Sequence, residues 1–201
     1  MINPDATFDT LSIIVKVQVP LREVSPGEIH ALAYLSCILS LYEGHPVAEW
    51  GYVFAGTKEG TPYSVAITEA IDVLLRTGLA EETQSRMLVA SSSGSHEYEL
   101  LSSLTRNRDR ERYLSGACAS VFALPINVLR NAISQESVLQ RAAALGATRP
   151  LFDPPDLDSL YEQFRALSAA IGVQTSELMI PAVTWLSYLA RASEIVRSEQ
   201  P

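Results

Sequence analysis

The loop 56-GTKEGT-61 contains the residue types of a phosphate-binding loop, because glycines and a lysine can surround phosphate oxygens. A Walker loop requires the order G-x-x-x-x-G-K-[ST], in which the lysine follows the second glycine. Here Lys58 precedes Gly60, and Glu59 lies beside it. The loop therefore predicts a turn rather than a nucleotide site, and we expect no cofactor.

The segment 96-HEYEL-100 begins like the zinc-binding motif H-E-x-x-H, but Leu100 stands where the second histidine is required. His96 and Glu99 are expected to face solvent. His30 and His45 are too far apart in helical position to form a prepared pair of metal ligands. We predict capping or surface roles for these two histidines and no metal site.

Acidic and hydroxyl side chains offer no catalytic arrangement either. Glu81 and Glu82 are adjacent, so a strand would direct them to opposite faces. The serine run 91-SSSGSHE-97 lacks the G-x-S-x-G elbow of hydrolases, and no nucleophile has a base at motif spacing. The sequence thus predicts a protein that is not an enzyme.

Composition limits the function further. The chain has 201 residues, 47 % of them hydrophobic, and a formal net charge of −8, which favours a globular fold without a broad cationic surface. Cys37 and Cys118 lie in apolar helical patterns and are predicted to be buried free thiols. The N-terminus lacks a basic region before its apolar run, and no apolar stretch approaches membrane-spanning length. We expect a soluble cytoplasmic protein with no membrane contact.

The N-terminal third combines a strand pattern with a strong helix pattern. Apolar residues alternate through 11-LSIIVKVQV-19, which predicts a strand with one covered face. Ser25 as cap, Pro26 at the first position and Glu28 as capping-box partner predict a helix that ends before Gly44. This helix is apolar on most sides and should be central to the core. Residues 46–56 are predicted to form a short helix or an extended turn.

A second helix is predicted with Thr61 as cap, Pro62 at the first position and Gly78 as terminator. Its core stripe has the spacing i, i+3, i+4, i+7 and consists of Ile67, Ala70, Ile71 and Leu74. Residues 79–83 and 86–91 are strand-like, 91–95 are predicted as a turn and 96–101 as a second strand. Helix, short element, helix and hairpin follow one another in winged-helix order.

Beyond Thr105 only helical spacing remains. The charged run 106-RNRDRER-112 is typical of a solvated helix start, and Pro125 should divide the long pattern that follows. A proline-rich connection at 149–156 precedes two helices, at 157–171 and 175–197. The predicted fold class is α+β, mostly α, with a winged-helix-like domain at 1–105 and a helical domain at 106–201.

The outward face of the second helix decides between DNA and protein as its target. In a DNA-reading winged helix this face enters the major groove and must tolerate dense phosphates. Here Glu69 and Asp72 occupy its centre, and the neighbouring Lys58 and Arg86 are offset by further acidic residues. We therefore favour a protein-binding surface, with DNA contacted only inside a complex.

The last helix carries more apolar surface than a single packing face requires. Leu178, Ala182, Trp185 and Leu189 form its main apolar line. Leu186, Tyr188 and Ile195 lie off that line. Trp185 and Tyr188 are the predicted partner anchors, because binding hot spots favour large rigid side chains, and Leu186 is a third predicted partner residue on this helix. The alternative is that this surplus is buried within the helical unit.

The stretch 61-TPYSVAITEAIDVLLRTGLAEE-82 resembles the middle component of three-component ABC-ATPase systems. In that family (G/T)-P-Y-S opens a helix that is followed by Gly-Leu and acidic residues, and Thr61 stands here in place of the commoner glycine. The family includes the small subunit of Lamassu-type anti-phage complexes, and Panacea-type antitoxin domains have a related pattern. The likeness covers about residues 25–105.

The resemblance implies a non-catalytic adaptor that bridges an SMC-like ABC ATPase and an effector nuclease in anti-phage or anti-plasmid defence. No active-site residues are implied. The alternative is a winged-helix transcriptional regulator or antitoxin that binds DNA or a toxin. An adjacent gene for a coiled-coil ATPase would favour the first function, and a lone toxin-like neighbour the second.

Overall fold

The computed structural model describes residues 2–171 and 177–198 of the chain. Helix accounts for 70 % and strand for 7 %, which confirms the fold class α+β, mostly α. The helices are α1 (Pro4–Leu21), α2 (Pro26–Tyr42), α3 (Val65–Arg76), α4 (Ser92–Ser102), α5 (Arg108–Ala123), α6 (Ile126–Ser134), α7 (Ser137–Leu145), α8 (Pro154–Ile171) and α9 (Met179–Ser198), with short 3₁₀ turns at Val47–Trp50 and Thr105–Asn107. The strands are β1 (Ala55–Gly56), β2 (Pro62–Tyr63), β3 (Ala80–Glu82), β4 (Leu88–Ala90) and β5 (Arg149–Pro150).

Residues 11–19 lie in the middle of α1, so the prediction of a strand there is wrong. Asn3 starts the helix by accepting a hydrogen bond from the amide of Ala6 at 3.0 Å, and Pro4 occupies the first turn. Val19, which the alternating pattern placed on the covered face, is 82 % exposed, while Ser12 and Ile14, which lie between the positions of that face, are buried. Helix α1 is covered on several sides, so its apolar residues form a nearly continuous run. Every second position of such a run is apolar, and the run therefore also fits the alternating pattern of a strand.

Helix α2 follows its prediction closely. Ser25 and Glu28 form a complete capping box, with the amide of Ser25 donating to the carboxylate of Glu28 at 2.8 Å. Gly44 ends the segment with a φ of +88°, a conformation that favours glycine. Residues 28–41 are buried throughout, so α2 is the centre of the core.

Helix α3 begins later than predicted. Its stripe of Ile67, Ala70, Ile71 and Leu74 is buried as expected. Pro62, however, lies in β2 and pairs with β1, and Ser64 occupies the cap position. The amide of Thr57 donates to the carbonyl of Thr61 at 2.9 Å, so Thr61 closes a hairpin turn instead of capping the helix.

The predicted turn and strand at 91–101 are also wrong, because these residues form α4. Ser91 caps that helix by accepting a hydrogen bond from the amide of Gly94 at 3.0 Å. The hairpin consists of β3 and β4, closed by a hydrogen bond from the amide of Thr83 to the carbonyl of Met87 at 2.8 Å. A serine-rich segment suits a hairpin tip and a helix cap equally well, so the local signal was ambiguous.

The hydrophobic core includes residues from both halves of the chain. Helix α5 packs against α1 and α2, and α9 packs against α5 and α6. Pro125 separates α5 from α6, as predicted. Strand β5, which was not predicted, pairs with β1, and α8 begins at Pro154 inside the expected proline-rich connection. The division into domains at residue 105 stays a prediction.

Candidate functional site

Helix α9 places the three predicted partner residues in different environments. Trp185 is 2 % exposed and Leu186 fully buried, whereas Tyr188 is 58 % exposed. Trp185 packs edge-on against Phe164 of α8, and its indole N–H donates to the Oε1 atom of Gln163 at 3.2 Å. Burial thus accounts for two of the three side chains, and Tyr188 alone is free to act as an anchor. The side chain of Ile195 lies outside the described residues.

A groove of about 490 Å³ lies between α8 and α9 beside Tyr188. Its walls are mainly apolar, and the buried Trp185 is one of the residues that form them. The lining residues are Glu162, Gln163, Ala166, Leu167, Ala170, Thr184, Trp185 and Tyr188. An apolar depression beside an exposed aromatic ring can take up the apolar side chains of a ligand or of another protein.

The acidic face of α3 is a separate surface. Glu69 and Asp72 are both exposed there, and neither lines the groove. Within the described part of the chain, neither carboxylate forms an ion pair. The guanidinium Nε–H of Arg76 donates to the backbone carbonyl of Asp72 at 3.2 Å, so it does not neutralise the side chain. The structure therefore presents two candidate surfaces, one apolar and one acidic.

A buried polar cluster joins α1 and α5. Arg110 donates from Nε and from its terminal nitrogen to the two oxygens of Asp9, at 2.5 and 2.8 Å, and the hydroxyl of Tyr52 donates to Asp9 at 2.5 Å. The guanidinium lies 4.1 Å from the ring centroid of Trp50. Burial raises the pKa of Asp9, and the charge of Arg110 opposes that shift. Sequence reasoning missed this cluster, because Arg110 belongs to the charged run expected to be solvated and Asp9 is 101 residues away.

His30 is a structural side chain within the described fold. Its Nδ1 atom accepts a hydrogen bond from the amide of Ser64 at 3.2 Å, and its ring lies 4.9 Å from that of Tyr63. Burial lowers the pKa of His30 to about 4, so the imidazole is neutral near pH 7. His30 therefore stabilises the N-terminus of α3. The exposed His96 lies on α4, near Glu99.

The two cysteines are buried and free, as predicted. Burial raises the pKa of Cys118 to about 12 and also raises that of Cys37, so both remain protonated thiols near pH 7. Among residues 2–171 and 177–198, no group of three or more His, Cys, Asp or Glu side chains is arranged to hold a metal ion.

No protein-family model, curated protein or solved structure matches this chain. Across the described segments, no single helix is both long and apolar enough to cross a membrane, although the bent pair Thr105–Ala123 and Ile126–Ser134, at 116°, meets the length and composition criteria together.

Proposed function

We propose that this chain is a non-catalytic accessory subunit that binds an SMC-like ABC ATPase and an effector protein in one cytoplasmic complex, in anti-phage or anti-plasmid defence. The observation that carries the proposal is the apolar groove between α8 and α9, with Tyr188 exposed at its edge. Exposed aromatic side chains beside apolar depressions are typical of protein interfaces. The ATPase and the effector are proposed as partners because residues 61–82 resemble the middle component of three-component ABC-ATPase systems.

We further propose that the first half of the chain is a winged helix. The order of α1, α2, α3 and the β3–β4 hairpin supports this, as does a short antiparallel bridge between Val24 and Leu88. Val24 follows α1 and pairs with Leu88 in the second strand of the hairpin. This bridge adds a third backbone segment beside the two strands. In this proposal α3 is the second helix of the unit and the hairpin is its wing.

The charge on α3 supports a protein partner over DNA. Glu69 and Asp72 lie exposed on the outward face, and duplex DNA would bring phosphates toward these carboxylates. We therefore propose that DNA is contacted only within the assembled complex. Histidine and cysteine side chains often serve in catalysis. Here His30 is neutral and hydrogen-bonded and both thiols are buried, which supports structural roles for these three side chains.

Co-expression with the proposed SMC-like ATPase and effector tests the proposal. We expect the three proteins to co-purify in a fixed ratio on gel filtration. The isolated chain should neither hydrolyse nucleotide nor cut nucleic acid. Absence of a complex with the ATPase, at concentrations that saturate micromolar binding, would contradict the adaptor function.

A regulator or antitoxin is the second candidate, favoured by the exposed Arg76 at the end of α3 and the exposed Arg86 in the turn between β3 and β4. The same preparation distinguishes it. A regulator would bind its operator duplex tightly as an isolated chain, and an antitoxin would co-purify with a toxin instead of an ATPase.

A further inference from the structure

We infer that the groove between α8 and α9 receives an amphipathic helix of the partner, with a basic side chain of that helix against Glu162. The inference rests on the proposed function, because it names the chemistry of the surface that the partner must present.

The shape of the groove fits a third helix. Glu162, Ala166 and Ala170 follow one another at intervals of four residues, so they form a single ridge along α8. This ridge is about 12 Å long at the helical rise per residue. The two alanines are small and exposed, while Leu167 and Trp185, which also line the groove, are buried. Small side chains allow the axis of a packing helix to come close, and its apolar stripe would cover the apolar lining of the groove.

The charge of the groove selects a basic partner. Among the described residues that line it, Glu162 is the one with a charged side chain. This carboxylate is exposed and forms no ion pair in the described part of the chain. A second copy of the chain would bring the same carboxylate and another net charge of −8. A lysine or arginine beside the apolar stripe of a partner helix would instead pair with Glu162 and orient the helix in the groove.

Two designed peptides of 18 residues test this inference without the natural partner. Both form an amphipathic helix with leucines at i, i+3, i+4 and i+7. One carries a lysine at the edge of the stripe and the other a glutamate at the same position. Calorimetry should show that the wild-type chain prefers the lysine peptide by about fivefold, the upper range for an exposed ion pair. Glu162→Lys should reverse the preference, and Glu162→Gln should abolish it.

A matched pair of substitutions locates the binding. Ala166→Trp fills the groove and should reduce the affinity for both peptides by at least tenfold. Ala169→Trp adds the same side chain at an exposed position of α8 outside the groove and should leave both affinities unchanged. Both variants should keep the wild-type circular dichroism, since both sites are exposed.

Three results would overturn the inference: neither peptide binds, the preference survives Glu162→Lys, or Ala166→Trp has no effect. A wild-type dimer that becomes monomeric with Ala166→Trp would also overturn it, by assigning the groove to a second copy. The proposed function fails separately, because it requires the complex with the ATPase, which these peptides do not test. If the Glu162→Lys variant forms the complex with the ATPase normally, the adaptor function stands. Only the inference of a basic partner helix is then wrong.

Discussion

The two tryptophans of this chain lie in contrasting surroundings. Trp50 is covered by the guanidinium of Arg110, which is itself held by the buried Asp9. Trp185 is just as buried and lines an apolar groove beside Tyr188, whereas the cavity of about 340 Å³ beside Trp50 has a more polar lining. The first region pairs its buried charges within the chain, whereas the second leaves apolar surface open to solvent.

This difference separates stability from binding. A buried ion pair that joins α1 to α5 should matter mainly to folding, because removing one partner leaves a buried charge without compensation. An open groove adds little to folding, since its surface stays in contact with water until a partner covers it. Substitutions in the two regions should therefore affect different measurements.

The largest effect is expected from Arg110→Ala, which leaves Asp9 buried and unpaired. We expect a loss of about 3–5 kcal/mol in the free energy of unfolding, measured by urea titration. Arg112→Ala is the matched control, because Arg112 lies on the same helix and pairs with Glu43 at a more exposed site. That change should cost no more than about 1 kcal/mol. Equal losses in the two variants would contradict the distinction.

Helix α9 offers the same comparison within a single turn. Trp185→Ala should destabilise the fold by about 3–5 kcal/mol, because it leaves a cavity against Phe164. Tyr188→Ala should change stability by less than about 0.5 kcal/mol, as is usual at an exposed site. A large loss for Tyr188→Ala would show that the ring supports the fold, and the groove would then lose its proposed anchor.

The pH dependence of the free energy of unfolding should reveal the lowered pKa of His30. Its pKa of about 4 in the folded state is below the ordinary value of 6.5, so the unfolded state binds more protons between these values. The free energy of unfolding should therefore fall as the pH is lowered from about 6.5 to about 4, by on the order of 3 kcal/mol from this group. His30→Asn keeps an acceptor for the amide of Ser64 and should remove that part of the fall. His45→Asn, at an exposed position, should retain it.

The smallest effect concerns DNA. The wild-type chain should bind duplex DNA no better than ordinary non-specific proteins, about 10⁻⁴ to 10⁻⁶ M at physiological salt. Replacing Glu69 and Asp72 by lysine should tighten binding and steepen its salt dependence by about 2 in the logarithmic slope. Fluorescence anisotropy at several salt concentrations measures both quantities. Submicromolar binding by the wild-type chain, lost on changing Arg76, would favour the regulator.

Elements with decisive local signals could be predicted from the sequence. The capping box at Ser25 and the turn at Gly44 defined α2, and a regular apolar stripe defined α3. Helix α1 was missed because burial on several sides hides the helical period. Helix α4 was missed because its serine-rich start also suits a turn.

Long-range contacts account for the other differences. Strand β5 forms only because β1 lies beside it in the fold, and neither two-residue strand has a recognisable pattern of its own. The apolar surplus of α9 was visible in the sequence, but its division into core and surface was not. Helix α9 packs against α5, α6 and α8, and in this packing Trp185 and Leu186 are buried while Tyr188 is exposed.

The affinity of the purified chain for the proposed SMC-like ATPase partner tests the central claim most directly, because it identifies the docking face. Tyr188→Ala should weaken binding by about 2 kcal/mol or more, roughly thirtyfold, while the chain keeps its wild-type stability. The double change of Glu69 and Asp72 to alanine should have a much smaller effect. Full binding by Tyr188→Ala, together with loss of binding when Glu69 and Asp72 are changed, would contradict the account and assign docking to the acidic face of α3.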